Sequence, residues 1–289
     1  MKTKSPIPRP RCAPRPLARH VTGASVLLLL SAGAGAQSSN TLPLWELGAV
    51  TVGVSQQAYP GSSERVQQAL ALPFFIYRGD VLRLDGGNAG LRAFKTPTWE
   101  LDIGASGSLG SRASDTVARK GMADLGTLVE FGPRLRWNIS RPTPAEQWRL
   151  DLPLRGVFDL NSALAQRGMS FEPELSFSHR TREGTSYSAS VSGVWADQSM
   201  QSMFYSVRPN EVTATRSAYT AQAGLLSLRL AGSVSHLINP DLRLIFYGRV
   251  DSVNGAANQA SPLVQQNTGA SMGLVLSYTW KQSEARASD

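Results

Sequence analysis

The sequence runs to 289 residues with 29 Lys+Arg against 21 Asp+Glu, three histidines and one cysteine. A lone cysteine excludes an internal disulfide framework and a multi-thiolate metal site. The positive balance is concentrated in the first segment, so it marks no nucleic-acid-binding footprint on the remainder.

That segment opens with "MKTKSPIPRPRCAPRPLARH", continues as the short apolar run "VTGASVLLLLSAGAGA" and ends in "QSSN". A basic start, an apolar stretch and small residues before a cut site describe a secretory signal peptide. Ala34 and Ala36 satisfy the small-x-small requirement, placing the expected boundary after Ala36. The run is too short for a spanning helix, which needs about 20 apolar residues. Residues 1–36 carry Lys2, Lys4, Arg9, Arg11, Arg15, Arg19 and Cys12 but no acidic residue. The remaining 253 residues (289 minus 36) therefore carry 23 basic and 21 acidic groups, a balance of +2, and no cysteine.

From Trp45 onward the hydrophobic period is two. In "TWELDIGASGSL" (98–109), Trp99, Leu101 and Ile103 alternate with Glu100 and Asp102. "EQWRLDLPLRGVF", "MSFEPELSFSH", "DLRLIFYGRVD" and "GASMGLVLSYTW" repeat the pattern. Alternation predicts strands with two different environments. Twelve such segments are predicted: 47–55, 67–77, 80–85, 89–95, 98–109, 125–138, 147–158, 168–179, 185–196, 218–235, 241–251 and 269–280. Several reach ten residues, Trp and Tyr cluster near their ends, and the number is even, as in bacterial membrane barrels. The expected fold is an all-β transmembrane antiparallel barrel of about 12 strands in a single domain, 37–289, with 281–289 as a polar tail. "DGGN" (85–88) reads as a hairpin. The stretches 110–124, 197–217 and 252–268 read as longer loops of one face. Pro73, Pro133, Pro153 and Pro173 fall inside strands, where each lacks a ladder donor.

Six blocks in order carry a family resemblance: "LWELGAVTVGVSQQAYPGSSE", "LPFFIYRGDVLRLDGG", "RKGMADLG", "LPLRGVF", "FYSVRPNEVTATRSAYTAQAGL" and "ASPLV". Over roughly Leu44 to Trp280 the chain resembles the MipA/OmpV family, the MltA-interacting outer-membrane proteins. The resemblance implies a barrel in the outer membrane of a Gram-negative envelope, in contact with outer-membrane lipid. It also implies a non-enzymatic scaffold that links a lytic transglycosylase, a murein hydrolase, to a murein synthase in cell-wall assembly. The alternative is a channel or permeability protein for small solutes. Barrels of this kind usually end on an aromatic residue; here "KQSEARASD" follows Trp280.

Candidate sites follow from the pattern. Tyr77, Arg78, Gly79 and Asp80 form a structural turn motif rather than an adhesion signal, since Gly and Asp suit a turn. Glu100, Asp102, Glu130, Arg134, Arg136, Arg149, Asp151, Arg155, Glu172, Glu174, Arg243, Arg249 and Asp251 share the polar strand faces and are expected in one lumen. They form either a paired plug or a selectivity lining. Phe204, Tyr205, Arg208 and Arg216 are the candidate partner-contact loop, of the aromatic and Arg type found at interface hot spots. The same loop, like "ASPLV", reads equally as one folded into the barrel mouth. His179 and His236 each follow a serine, but neighbours on a strand face opposite ways and make no nucleophile–base pair. No catalytic, metal or cofactor motif is expected: "GASGSLG" lacks the strand–turn–helix context of a phosphate loop.

Overall fold

A computed structural model describes residues 42–79, 82–85, 88–140 and 145–287. The expected signal peptide, Asp80 and the Gly86-Gly87 centre of the "DGGN" hairpin lie outside the described residues. The strands are β1 (Trp45–Gln57), β2 (Arg65–Arg78), β3 (Leu82–Asp85), β4 (Asn88–Lys95), β5 (Trp99–Ser108), β6 (Leu128–Asn138), β7 (Glu146–Asp159), β8 (Ala165–Phe171), β9 (Glu174–Arg180), β10 (Thr185–Ala196), β11 (Gly224–Asn239), β12 (Leu242–Ser252) and β13 (Thr268–Gln282). One short helix, α1 (Gln198–Tyr205), follows β10.

All pairings are antiparallel, and nearly all join strands consecutive in the chain. The ladder runs from β1 to β7, passes through β8 and β9 to β10, continues to β13, and returns from β13 to β1. β8 and β9 are two halves of one strand: β7 pairs with β8 through Leu154–Asp159 and with β9 through Glu146–Asp151. The circuit thus has twelve strand positions, matching the number read from alternation.

Two of the in-strand prolines coincide with gaps in the ladder, and a third sits where the ladder is one-sided. Pro173, with no N–H to donate, marks the break between β8 and β9, and Gly193 N donates to its carbonyl instead. The β6–β7 ladder skips Gly132 and Pro133 yet keeps register, since Phe131↔Gly156 and Arg134↔Pro153 are both in phase. Pro73 sits in β2, whose second edge is partnered, among the described residues, only at Tyr77 and Arg78. There a missing donor disturbs one ladder rather than two.

Burial inverts the pattern of a water-soluble sheet. Along β13, Met272, Leu274 and Leu276 are 41–51% exposed while Ser271, Gly273 and Val275 are buried. Phe75, Ile103, Leu230 and Phe246 are likewise exposed. A Leu or Phe left in water forgoes about 1.5–3 kcal/mol of burial, so a continuous apolar outer face implies a nonaqueous surrounding. Aromatics concentrate at the rim formed by the short turns. Trp99 stacks on Trp137 with centroids 5.4 Å apart, and Trp148 packs against Phe177 at 4.9 Å. Tyr278 and Trp280 lie near the end of β13 at the same rim.

Two boundaries differ from expectation. β11 begins at Gly224 rather than 218, because Tyr219 pairs with Val207 and Ala221 is buried among loop residues. The segment after Trp280 is not a free tail. β13 continues to Gln282, and Ser283, Ala285 and Ala287 hydrogen-bond to Trp45, Leu44 and Leu42. Residues 42–45 and 283–287 are thus tied into a ribbon at the short-turn rim.

Candidate functional site

The buried face of the sheet carries the predicted charges. On β5 to β7, Arg134 grips Asp102 with two bonds, Nε to Oδ1 at 2.9 Å and Nη2 to Oδ2. Arg136 bridges Asp151 (2.9 Å) and Glu100 (3.1 Å), and Arg149 reaches Asp151 at 3.1 Å. This cluster holds three arginines and three carboxylates. A second cluster joins β6, β7, the β8–β9 break, β11 and β12. Arg155 contacts Glu172 (3.2 Å) and Glu130 (3.6 Å). Arg229 contacts Glu172 and Asp251, and Arg249 reaches Asp251 at 2.7 Å. It too holds three of each sign. Glu174 lies between the clusters, opposite Asp151 on β7 and Ser192 on β10.

Pairing at this density has a physical cause. A charge removed from water costs several kcal/mol unless a partner and hydrogen bonds replace the lost hydration. Bidentate arginine–carboxylate geometry supplies both. Of the predicted lumen charges, all but Glu174 and Arg243 fall in these two clusters. Arg243 lies on the same face of β12, nearer the short-turn rim. Arg229 is the hub that sequence reasoning missed. The signal was present: it lies between Leu228 and Leu230 in an alternating run, so it had to face inward.

The long connections 58–64, 109–127, 197–223 and 253–267 pack together at the opposite rim. Tyr59, Leu125, Met200, Tyr205, Val207, Ala221 and Leu263 form a buried apolar cluster there. Asp197 caps α1 by accepting from Met200 N at 2.9 Å. Gly168 on β8 lies against this cap with φ +135°, and a Cβ there would clash with Asp197 Oδ1 and sit 2.7 Å from Met200 N. Glycine is required on both counts.

Polar bonds stitch the loops to one another. Tyr205 OH donates to Pro60 O (3.0 Å), Ser261 Oγ to Tyr205 O (2.8 Å) and Tyr59 OH to Leu263 O (2.8 Å). Arg119 donates to Phe204 O and Ala123 O, and Arg216 to Ala118 O and Glu211 O. Burial pushes the Tyr59 hydroxyl up to about 12, with nearby Arg119 opposing the shift. Burial also raises Tyr205 and lowers Arg119.

The candidate contact loop therefore divides. Tyr205 and Arg216 are buried in the cap, Phe204 is half-buried, and Arg208 alone of the four is exposed. In "ASPLV", Ser261 and Leu263 are buried in the same cap. Arg78 ends β2 instead of lying in a turn. Its guanidinium donates to Pro43 O (2.9 Å) and Glu46 (2.7 Å), which fixes the ends of β1 and β2 together. An arginine committed inward is not displayed as an adhesion ligand. His179 faces Glu146 at 3.4 Å and His236 Nδ1 faces Thr185 at 2.8 Å, both on the rim and away from the belt.

Residues 48–280 match the family described as MltA-interacting protein MipA. The chain belongs to the MipA family. A comparison with curated protein sequences finds no match. Among solved structures, the chain is similar to the NanC porin, at 8% identity, covering 81% of this chain and 98% of that one with a TM-score of 0.38. It is similar to OmpT of Vibrio cholerae at 8% identity, 82% and 97% coverage and a TM-score of 0.36. An outer-membrane channel from Pseudomonas putida F1 matches at 11% identity, 86% and 100% coverage and a TM-score of 0.35.

Proposed function

We propose that this MipA-family chain is an exported, single-domain β-barrel of the outer membrane, cut after Ala36, that serves as a non-enzymatic interaction protein. Its proposed role is to hold an MltA-type lytic transglycosylase beside a murein synthase. The observation that carries the reading is the combination of an apolar outer face with an interior whose charges neutralise one another beneath a packed loop cap. An apolar exterior suits lipid. An interior occupied by its own ion pairs suits a plug rather than a selectivity lining, which would present one sign of charge to a solute. The family description, MltA-interacting protein, supports the transglycosylase half of this reading.

Topology then moves the docking surface. In outer-membrane barrels the short turns face the periplasm and the long loops face outward. A periplasmic murein enzyme would meet the short-turn rim, not the cap that contains Phe204 and Tyr205. The paired ends, residues 42–45 with 283–287, and the turns 96–98, 181–184 and 240–241 are the surface on that side.

The test is affinity capture of the tagged protein from gently crosslinked envelopes, against an unrelated barrel. Enrichment of a lytic transglycosylase and a murein synthase, lost when the 283–287 ribbon is deleted, is the expected result. Absence of both enzymes, with the protein correctly placed in the outer membrane, would refute the scaffold role.

A further inference from the structure

β2 is paired to β1 along its whole length, from Gln57↔Arg65 to Trp45↔Tyr77. Its other edge meets β3 only at Tyr77 and Arg78, so among the described residues the backbone of 65–76 has no strand on that side. β3 is four residues long, and the β3–β4 hairpin closes at Asp85 and Asn88. Across the gap, β4 covers β5 only as far as Gly104, leaving Ala105–Ser108 paired, among the described residues, to β6 alone. β2 packs against β1 and β3 and makes no comparable approach to β4 or β5. The loops close the top: Glu64 accepts from Val117 N at 2.6 Å, and Val66 packs on the cap cluster. The result is a window in the wall, framed by β2, the hairpin, the end of β5 and the cap.

The window lies at the depth of the apolar outer face. The cross-strand rows Gln67–Ser55–Met272, Ala69–Gly53–Leu274 and Ala71–Thr51–Leu276 set the free edge level with the exposed apolar residues of β13. β2 is also apolar on both faces, unlike the strands of the charged belt. Inward, Leu70, Leu72 and Phe74 pair with Val52, Val50 and Gly48, and Leu72 and Phe74 pack on the buried group of Val50, Val52, Ile245 and Val275. Outward lie Ala69, Ala71, Pro73 and Phe75. A continuous apolar run of this kind suits a strand with a nonaqueous surrounding on each face. Leu70, Leu72 and Phe74 nevertheless stay partly exposed on the inner side. An unpaired edge at this depth is costly, because lipid offers no water to its N–H and C=O groups. Its occupant therefore has to supply acceptors as well as hydrocarbon. A further strand fits poorly, since Pro73 stands within the free edge and has no donor for a ladder.

We propose that the window between β2 and β5 is a lateral binding site for an esterified acyl chain of a membrane lipid. The chain lies against Leu70, Leu72 and Phe74, and its ester carbonyl accepts from free β2 amides near the cap. The far side of the window suits such a chain, because Ala105, Ser106, Gly107 and Ser108 are all small. A site in the wall leaves the ion pairs of the lumen in place, so it is compatible with a closed axial path. The inference shares with the proposed function only the placement of the barrel in a bilayer, and no murein enzyme enters it.

The experiment places the protein in bilayers at a low protein-to-lipid ratio. The chain after Ala36 has no cysteine, so one introduced cysteine carries a bimane label uniquely. Leu70→Cys and Leu72→Cys report the inner side of the window, Leu274→Cys the outer face, and Ser188→Cys the inward face away from the window. The probe is a phosphatidylcholine with a nitroxide on its acyl chain, and heat-modifiable gel mobility verifies the barrel of each variant. Quenching at Leu70 and Leu72 is expected to approach that at Leu274 and to exceed that at Ser188 about five-fold, as access to lipid dictates. Quenching at both positions no greater than at Ser188 would overturn the proposal. Disulfide-linked dimers of Leu70→Cys at this dilution would also overturn it, since a second copy would then fill the window. Absence of quenching at Leu274 as well would refute the membrane placement together with the site, whereas failure to capture murein enzymes would leave the quenching result standing.

Discussion

Replacing Arg229 by glutamine tests the charged belt at its hub. In the native cluster, Glu130, Glu172 and Asp251 face Arg155, Arg229 and Arg249, three against three. Removing Arg229 leaves three carboxylates against two arginines. Glu172 keeps Arg155 and the Ser192 hydroxyl, and Asp251 keeps Arg249, so neither is stripped bare. One buried negative charge is nevertheless uncompensated, and breaking a buried pair in this way costs about 3–5 kcal/mol. Arg229→Gln should therefore lower the midpoint of urea unfolding, followed by tryptophan fluorescence in detergent, with little change in slope. Adding Glu172→Gln restores the balance at two against two, and the double variant should recover to within about 1–2 kcal/mol of the parent, as a coupled pair does in a double-mutant cycle. Additive losses, or an Arg229→Gln cost below about 1 kcal/mol, would show that the cluster is not a neutralised network.

Three further outcomes follow from the geometry. Gly168→Ala should loosen α1 and the cap, making the 197–223 loop sensitive to added protease while the strands stay resistant; an unaltered cleavage pattern would contradict the close approach of Gly168 to Met200. The Tyr59 hydroxyl, raised by burial from 10 to about 12, stabilises the cap fully below pH 10, and the contribution is lost as pH rises through about 12. The shift corresponds to roughly 2–3 kcal/mol, so cap proteolysis by an alkaline-stable protease should rise between pH 10 and 12, and Tyr59→Phe should flatten that rise. On the outer face, Leu274→Arg should cost about 2–4 kcal/mol in a bilayer.

Much of this architecture was legible because alternation records which face meets which solvent. The run "GASMGLVLSYTW" fixes strand, face and rim aromatics at once, and the structure adds two residues to its end. The belt was legible for the same reason, since Asp102, Arg134 and Asp151 all sit opposite large apolar neighbours. What escaped depends on contacts distant in the chain. The ribbon of 42–45 with 283–287 joins segments that carry no alternation. The burial of Tyr205 and Arg216 depends on Pro60, Ala118 and Ser261, which no local pattern brings together. Pro173 was visible as an anomaly, but its resolution required seeing that β7 and β10 each span the break.

The measurement that tests the account most directly is single-channel recording of the purified protein in a planar bilayer. A lumen closed by neutralised ion pairs and a packed cap predicts silence over long recordings, with insertion verified by heat-modifiable mobility. Sustained unitary steps that change size in Arg134→Gln or Arg149→Gln would contradict it, and would make those residues the lining of an open pore.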